Sequence, residues 1–126
     1  MKVDNRPATV IAANTDIGIL YGTFHLLRMV QTGSRLARIE IMSAPKIQRR
    51  VLNHWDGRVP QEFGWVDGKS LWKWDELPQT VDSRYADYAR ANASIGINGT
   101  ILNNVNADPA FLLPEYIERL GVMADI

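Results

Sequence analysis

The chain has 126 residues, and 14 basic residues balance 14 acidic ones, which disfavours a protein that binds nucleic-acid phosphates or a membrane surface through excess lysine and arginine. With 46% hydrophobic and 22% charged residues, a folded domain is expected rather than a disordered segment. The absence of cysteine excludes disulfides and thiolate metal sites, and no apolar run reaches the roughly 20 residues that span a bilayer.

The first third of the chain is predicted to form a strand–helix–strand unit. The apolar run at residues 9–13 is typical of a buried strand, and residues 38–42 alternate as a half-exposed strand does. Between them Asn14, Thr15 or Asp16 can cap a helix that ends near Gln31 and stops at Gly33. Its apolar face recurs at three- and four-residue spacing, at Ile17, Leu20, Tyr21, Phe24, Leu27 and Val30.

Beyond residue 43 the predicted elements alternate between strands and helices. In order they are a strand at 47–53, a long irregular segment at 54–80, a helix capped by Asp82 or Ser83 and stopped by Gly96, a strand at 99–103, a loop at 104–113 and a helix from Pro114. This order predicts parallel strands joined by right-handed crossovers. Since two strands do not make a stable parallel sheet, the chain looks like the opening of an α/β barrel, and we expect it to be a fragment.

Polar clusters follow both of these later strands, at residues 53–56 and 103–106. In an α/β barrel the loops after the strands meet on one face, so the clusters are expected to converge. Trp55 offers an apolar face to a sugar ring, while His54 and Asp56 offer hydrogen-bonding groups for hydroxyls. Structural alternatives stay open, because Trp55 could fill a core and His54 could pair with Asp56. The asparagines 103, 104 and 106 could bond their own backbone.

The other three tryptophans are Trp65, Trp72 and Trp74. A Trp-x-Trp pair places both rings on one side of an extended segment, as in many carbohydrate-binding modules. We favour the alternative that the long irregular segment builds a small aromatic core of its own. His25 lies within the first predicted helix and is interpreted as structural. We identify no candidate cofactor and no metal site.

Three stretches resemble glycoside hydrolase family 67, the α-glucuronidases. Residues 46–56, which read KIQRRVLNHWD, resemble the segment that opens the family's catalytic barrel. Residues 87–100 and 102–107 match the family almost letter for letter, and residues 14–18 with 20–22 look like the last helix region of its N-terminal domain. The resemblance therefore implies that residues 1–43 end an N-terminal α/β domain and that residues 44–126 form the first two βα units of an incomplete (β/α)8 barrel.

The resemblance also implies an activity. Family members hydrolyse the α-1,2 bond between glucuronic acid, or its 4-O-methyl ether, and the terminal xylose of xylo-oligosaccharides during xylan degradation. They invert the anomeric centre with two carboxyl groups, which inverting enzymes hold roughly 6.5–9.5 Å apart to admit a water molecule. In the family these groups come from later barrel strands. No catalytic residue is therefore assigned to this chain, which is expected to be inactive alone.

Two family positions can be carried over to this sequence. Trp55 matches a tryptophan that packs on the sugar, and Val105 matches a valine that lines the glucuronic acid pocket. After Asp56 the sequence departs from the family pattern over residues 57–68, so the contacts of that loop are not carried over. The predicted substrate-binding residues are Trp55, Val105, His54, Asp56 and Asn104.

Two other functions remain as alternatives: a non-catalytic carbohydrate-binding module, and another glycosidase with the same N-terminal domain and barrel. The expected partner is an oligosaccharide derived from glucuronoxylan, with no nucleic acid and no membrane. Because family members often dimerise, a homodimer is the oligomeric state considered for the full-length enzyme.

Overall fold

A computed structural model describes residues 2–54, 70–102 and 109–126. It has α/β character, as predicted, and in these ranges no helix is both long and apolar enough to cross a membrane. The elements in chain order are β1 (Lys2–Val3), β2 (Arg6–Pro7), α1 (Asp16–Gln31), β3 (Val51–Asn53), α2 (Arg84–Ser94), β4 (Gly99–Ile101), a 3₁₀ helix (Pro109–Leu112) and α3 (Pro114–Ala124).

The two later strands pair in parallel, as the βαβα order predicts. Val51 lies opposite Gly99, and Asn53 lies opposite Ile101. Gly99 suits this close approach, because a Cβ atom there would lie 2.8 Å from Cγ1 of Val51. Helix α2 lies in the connection between the strands, so β3, α2 and β4 form one βαβ unit.

The helix ends follow the predicted signals. The Thr15 side chain accepts a hydrogen bond from the backbone N–H of Gly18 at 3.2 Å, and Asp82 Oδ1 accepts one from the backbone N–H of Arg84 at 3.0 Å. Gly33 and Gly96 follow the C-termini of α1 and α2 with φ of 66° and 83°, a backbone conformation that glycine adopts without strain.

The strands predicted at residues 9–13 and 38–42 are wrong. Residues 8–13 carry no regular structure, and Arg38 has a φ of 57°, which interrupts an extended strand. A strand needs a hydrogen-bonding neighbour, and among the described residues neither segment pairs with one. Instead, Ile11 packs on α1 at Gly22, and Ala13 packs on it at Gly18. A Cβ atom on Gly22 would lie 2.6 Å from the Ile11 side chain, and one on Gly18 would lie 2.7 Å from the Ala13 side chain.

A short hairpin at the start of the chain was not predicted. Strands β1 and β2 pair antiparallel, with Val3 opposite Arg6. The two connecting residues, Asp4 and Asn5, have φ of 49° and 63°. Positive φ at both central positions is the requirement of a type I′ hairpin turn, and aspartate and asparagine tolerate it better than most residues.

The buried core of the described residues lies in the second half of the chain. The irregular segment at residues 70–80 supplies three of its side chains, and α2, the 3₁₀ helix and α3 supply one each. By contrast, α1 buries no residue fully, and its predicted apolar face is only half covered. The core residues are Trp72, Trp74, Leu77, Tyr85, Phe111 and Tyr116.

Two arginines from distant parts of the chain meet the C-terminal end of α2. Arg28 of α1 donates a hydrogen bond to the carbonyl oxygen of Ser94, and Arg50 Nε donates to that of Gly96 at 2.5 Å. The last carbonyls of a helix lack intrahelical partners and carry partial negative charge, and α2 has no basic residue in its own last turn. Arg28 and Arg50 therefore supply the cations that this helix end lacks.

Arg50 also contacts the residues before β3 and helix α1. Its Nη1 donates to the carbonyl oxygen of Ile47 at 2.6 Å, and its guanidinium lies 5.4 Å from the ring centre of Tyr21 on α1. Its backbone N–H donates to Asn98 Oδ1 at 2.8 Å. One side chain thus links α1, the entry to β3 and the turn after α2.

Replacing Arg50 with lysine is expected to lower the free energy of unfolding by about 1.5–3 kcal/mol, because an ammonium cannot span both carbonyl oxygens that the guanidinium fork reaches. Urea denaturation of both proteins measures the difference. The matched control is Arg90→Lys, since the side chain of Arg90 is 64% exposed and pairs with Asp87 at 2.7 Å on the helix surface. That variant should change stability by less than about 0.5 kcal/mol, and equal losses in the two variants would contradict the role given to Arg50.

Candidate functional site

His54 follows β3 directly, at the edge where both parallel strands end. Its backbone N–H donates to the carbonyl oxygen of Ile101 at 2.9 Å, so the hydrogen bonding of the sheet continues to this residue. The position of the His54 backbone is therefore fixed by β4. Its side chain is half-buried, so it combines contact with the protein and access to solvent.

The imidazole of His54 contacts α2. Its Nε2 atom lies 2.5 Å from the hydroxyl oxygen of Tyr88, a hydrogen-bonding distance. The two ring centres are 5.6 Å apart, with an angle of 59° between the ring planes. Tyr88 is thus the side-chain partner of His54, one of the predicted substrate-binding residues.

Trp72 supports this pair from the irregular segment. It is 4% exposed, and its ring centre lies 5.7 Å from that of His54 and 5.5 Å from that of Tyr88. A third neighbour, Tyr85, lies 5.3 Å away. We call these four residues, His54, Trp72, Tyr85 and Tyr88, the aromatic cluster.

Trp74 belongs to a different group of rings. It is 3% exposed and packs on Phe111 and Tyr116, with centre-to-centre distances of 5.0 and 6.0 Å. The prediction that these tryptophans fill a core is therefore confirmed for Trp72 and Trp74, but that core is shared with α2, the 3₁₀ helix and α3 and is not the segment's own. Buried rings in two separate groups cannot form one flat platform for a sugar. Trp65 lies outside the described residues.

Lys73, between Trp72 and Trp74, links the irregular segment at residues 70–80 to the start of α2. Its backbone N–H donates to the hydroxyl of Tyr85 at 2.7 Å, and its ammonium lies 2.9 Å from Asp82 Oδ2. The pKa of Asp82 is lowered, chiefly by the hydrogen bond from the backbone N–H of Arg84 and then by Lys73. Conversely, hydrogen bonds to Asp82 and Glu76 raise the pKa of Lys73.

A lowered folded-state pKa makes Asp82 stabilising only while its carboxylate is ionised. Its contribution is present above the unfolded pKa, about 3.9, and is lost as the pH falls below that value toward the folded pKa. Asp82→Asn is therefore expected to lower the urea midpoint at pH 7, and the gap to the wild type should narrow steadily below pH 4.

The control for this pH series is Asp87→Asn, because the Asp87 side chain is 71% exposed and its ion pair with Arg90 lies on the helix surface. It should give a much smaller gap at pH 7. A gap between wild type and Asp82→Asn that is as large at pH 3 as at pH 7 would contradict the role of the ionised carboxylate.

Of the predicted substrate-binding residues, the structure describes His54. It sits at a strand end, as predicted, although its contact there is Tyr88 rather than a loop residue. Tyr88 was not among the site residues predicted from the sequence. The available signal was the spacing of Tyr85 and Tyr88, which places two aromatic rings on one face of the helix that follows the strand. The other predicted residues lie outside the described residues: Trp55, Asp56, Asn104 and Val105.

Comparison with known proteins gives one consistent result. The family model described as "Glycosyl hydrolase family 67 middle domain" matches residues 29–126. The chain is 33% identical over 127 residues to "Alpha-glucuronidase A" of Emericella nidulans, covering 94% of this chain and 14% of that protein. It is 37% identical over 117 residues to "Probable alpha-glucuronidase A" of Aspergillus clavatus, covering 92% of this chain and 14% of that protein. The chain thus spans about a seventh of the length of these relatives.

Proposed function

We propose that this chain, which belongs to glycosyl hydrolase family 67, forms part of the substrate pocket of an α-glucuronidase. The single observation that carries the proposal is the position of His54. It stands at the carboxyl end of β3, its backbone is bonded to β4, and its side chain is bonded to Tyr88. Ligands of α/β barrels bind at this end of the strands.

The parallel register supports the convergence of both polar clusters. Because Asn53 lies opposite Ile101, β3 and β4 end at the same edge of the sheet. In the sequence, the polar clusters at residues 53–56 and 103–106 come at and after the ends of β3 and β4. We propose that they line one pocket, with Trp55 against the sugar ring and Val105 beside the glucuronic acid. His54, Asp56 and Asn104 supply hydrogen-bonding groups.

The proposed reaction is the inverting hydrolysis of α-1,2-linked glucuronic acid, or its 4-O-methyl ether, from xylo-oligosaccharides. Residues 44–126 then form the first two βα units of the barrel, and residues 1–43 form the end of the preceding domain. In this arrangement the chain positions the sugar, while the carboxyl groups that protonate the leaving oxygen and activate water come from elsewhere in the enzyme.

A graft tests the proposal in an active context. The matching segment of the Emericella nidulans protein is replaced by this chain, and release of glucuronic acid from an aldouronic acid is measured. We expect the graft to retain activity within about tenfold of the parent, equivalent to 1.4 kcal/mol of transition-state binding, and the 126-residue chain alone to release none. A graft that melts like the parent but is inactive would contradict the proposal, as would release by the chain alone.

Neither of the two alternative functions considered from the sequence is favoured. A sugar-binding module that uses Trp72 and Trp74 is not supported, because both rings are buried in the core. Another glycosidase with the same domain plan is disfavoured, because the chain belongs to family 67.

A further inference from the structure

We infer that Tyr88 is a positioning residue that holds the imidazole of His54 with its proton on Nδ1, so that His54 presents an N–H donor to an oxygen of the substrate. The part that concerns substrate rests on the proposed function. The part that concerns the proton on His54 does not, and it can be measured without any substrate.

The direction of the hydrogen bond follows from the two groups that meet at 2.5 Å. The ring nitrogen of a neutral imidazole is a much stronger base than a phenolic oxygen, and the phenol, with an ordinary pKa of about 10, is the readier proton donor. The favoured arrangement is therefore Tyr88 O–H donating to His54 Nε2. Because Nε2 accepts, the single proton of the neutral ring lies on Nδ1.

Both partners are held from several sides. The backbone of His54 is bonded to Ile101, and Trp72 packs in T-shaped geometry with both rings. Tyr88 lies on α2, whose C-terminal end is bound by Arg28 and Arg50. Neither ring can turn without breaking contacts in the aromatic cluster. The hydrogen bond is thus formed before any ligand arrives, which is the preorganisation that a binding site requires.

An N–H donor at this position suits the proposed ligand. A uronic acid carries hydroxyl and carboxylate oxygens, and a carboxylate accepts hydrogen bonds only. A histidine with its proton on Nε2 would instead turn that proton toward Tyr88 and leave Nδ1 as an acceptor. Tyr88 therefore determines whether His54 can donate to an anionic sugar.

The first test uses nitrogen-15 spectra of the chain labelled at histidine, recorded near pH 9, well above the ordinary imidazole pKa of about 6.5. The chain has two histidines, and exposed His25 on α1 serves as the internal reference, expected to show the Nε2–H form that free side chains favour. His54 should show the Nδ1–H form. A His54 spectrum that matches His25 would overturn the inference.

Two matched variants separate the hydroxyl of Tyr88 from general packing. Tyr88→Phe should shift His54 toward the Nε2–H form. Tyr85→Phe removes a hydroxyl from the same helix and the same aromatic cluster, but that hydroxyl bonds the backbone of Lys73, so His54 should keep its Nδ1–H form. Equal spectra in the two variants would contradict the role of Tyr88.

Kinetics of the graft test the substrate part. Tyr88→Phe should raise the KM for an aldouronic acid several-fold with a smaller change in kcat, whereas Tyr85→Phe should leave both unchanged. If the tautomer is as expected and the KM is unchanged, the donation to substrate is wrong. If the unmodified graft is inactive, the proposed function fails, while the spectra still decide the tautomer.

Discussion

Alanine in place of Trp72 is expected to lower the free energy of unfolding by about 3–5 kcal/mol, the usual effect of truncating a buried aromatic residue. Trp72 is 4% exposed and contacts the rings of His54, Tyr85 and Tyr88, so its removal leaves a cavity in the middle of the aromatic cluster. Natural domains are stable by only about 5–15 kcal/mol. Urea denaturation followed by circular dichroism should therefore show a large fall in the midpoint.

Two further variants serve as controls for Trp72→Ala. Trp72→Phe keeps an aromatic ring and removes the indole N–H, which is buried without an acceptor among the described residues. Since such an orphaned donor costs about 1–3 kcal/mol, phenylalanine should be tolerated far better than alanine. Met42→Ala, at a side chain that is 99% exposed, should change stability by less than about 0.5 kcal/mol. Similar losses for Trp72→Ala and Met42→Ala would show that Trp72 is not part of a folded core.

Trp55→Ala in the graft should lower catalytic efficiency and leave stability nearly unchanged. If Trp55 packs on the sugar, as we propose, its removal should lower kcat/KM by on the order of a hundredfold, equivalent to about 2–3 kcal/mol of transition-state binding. The melting temperature should change little, because a platform for sugar is partly exposed when no substrate is bound. Hydrolysis of an aldouronic acid and thermal melting of the same preparation measure the two quantities together.

His25→Gln is the control for Trp55→Ala, because His25 is exposed on α1 and has no proposed role in binding. It should leave kcat/KM and melting unchanged. A sharp fall in the melting temperature of Trp55→Ala, with normal kinetics in the protein that remains folded, would mean that Trp55 fills a core and that its assignment to the pocket is wrong.

Local sequence signals were sufficient to predict where the helices begin and end. Thr15, Gly33 and Gly96 mark helix ends through their own backbone conformation or side-chain hydrogen bonds, which depend on residues within one turn. The predictions of strands at residues 9–13 and 38–42 were wrong because a strand forms only when it pairs with a distant segment. An apolar run does not show whether such a partner segment is present. The parallel pair of β3 and β4 was predictable because a helix connects the two strands.

The position of His54 could be predicted from the sequence, but its side-chain partner could not. His54 follows an apolar strand, so its place at the edge of the sheet could be inferred from the sequence. Its contact with Tyr88 depends on how α2 is rotated over that sheet. Helical spacing shows that Tyr85 and Tyr88 share a face, but it does not show which of them reaches the strand end. That choice is made by packing, in which Tyr85 turns toward Lys73.

The arginines at the end of α2 also bear on the order in which the chain can fold. Arg28 and Ser94 are 66 residues apart in sequence, and Arg50 and Asn98 are 48 residues apart. Once the contacts of Arg50 have formed, the chain segment that must still be closed to bring Arg28 to α2 shortens from 66 residues to on the order of 25. The entropic cost of that second closure falls by about 0.8 kcal/mol. Pairing of β3 with β4 should therefore precede the docking of α1, and α1 should be the first part to detach when the chain begins to unfold.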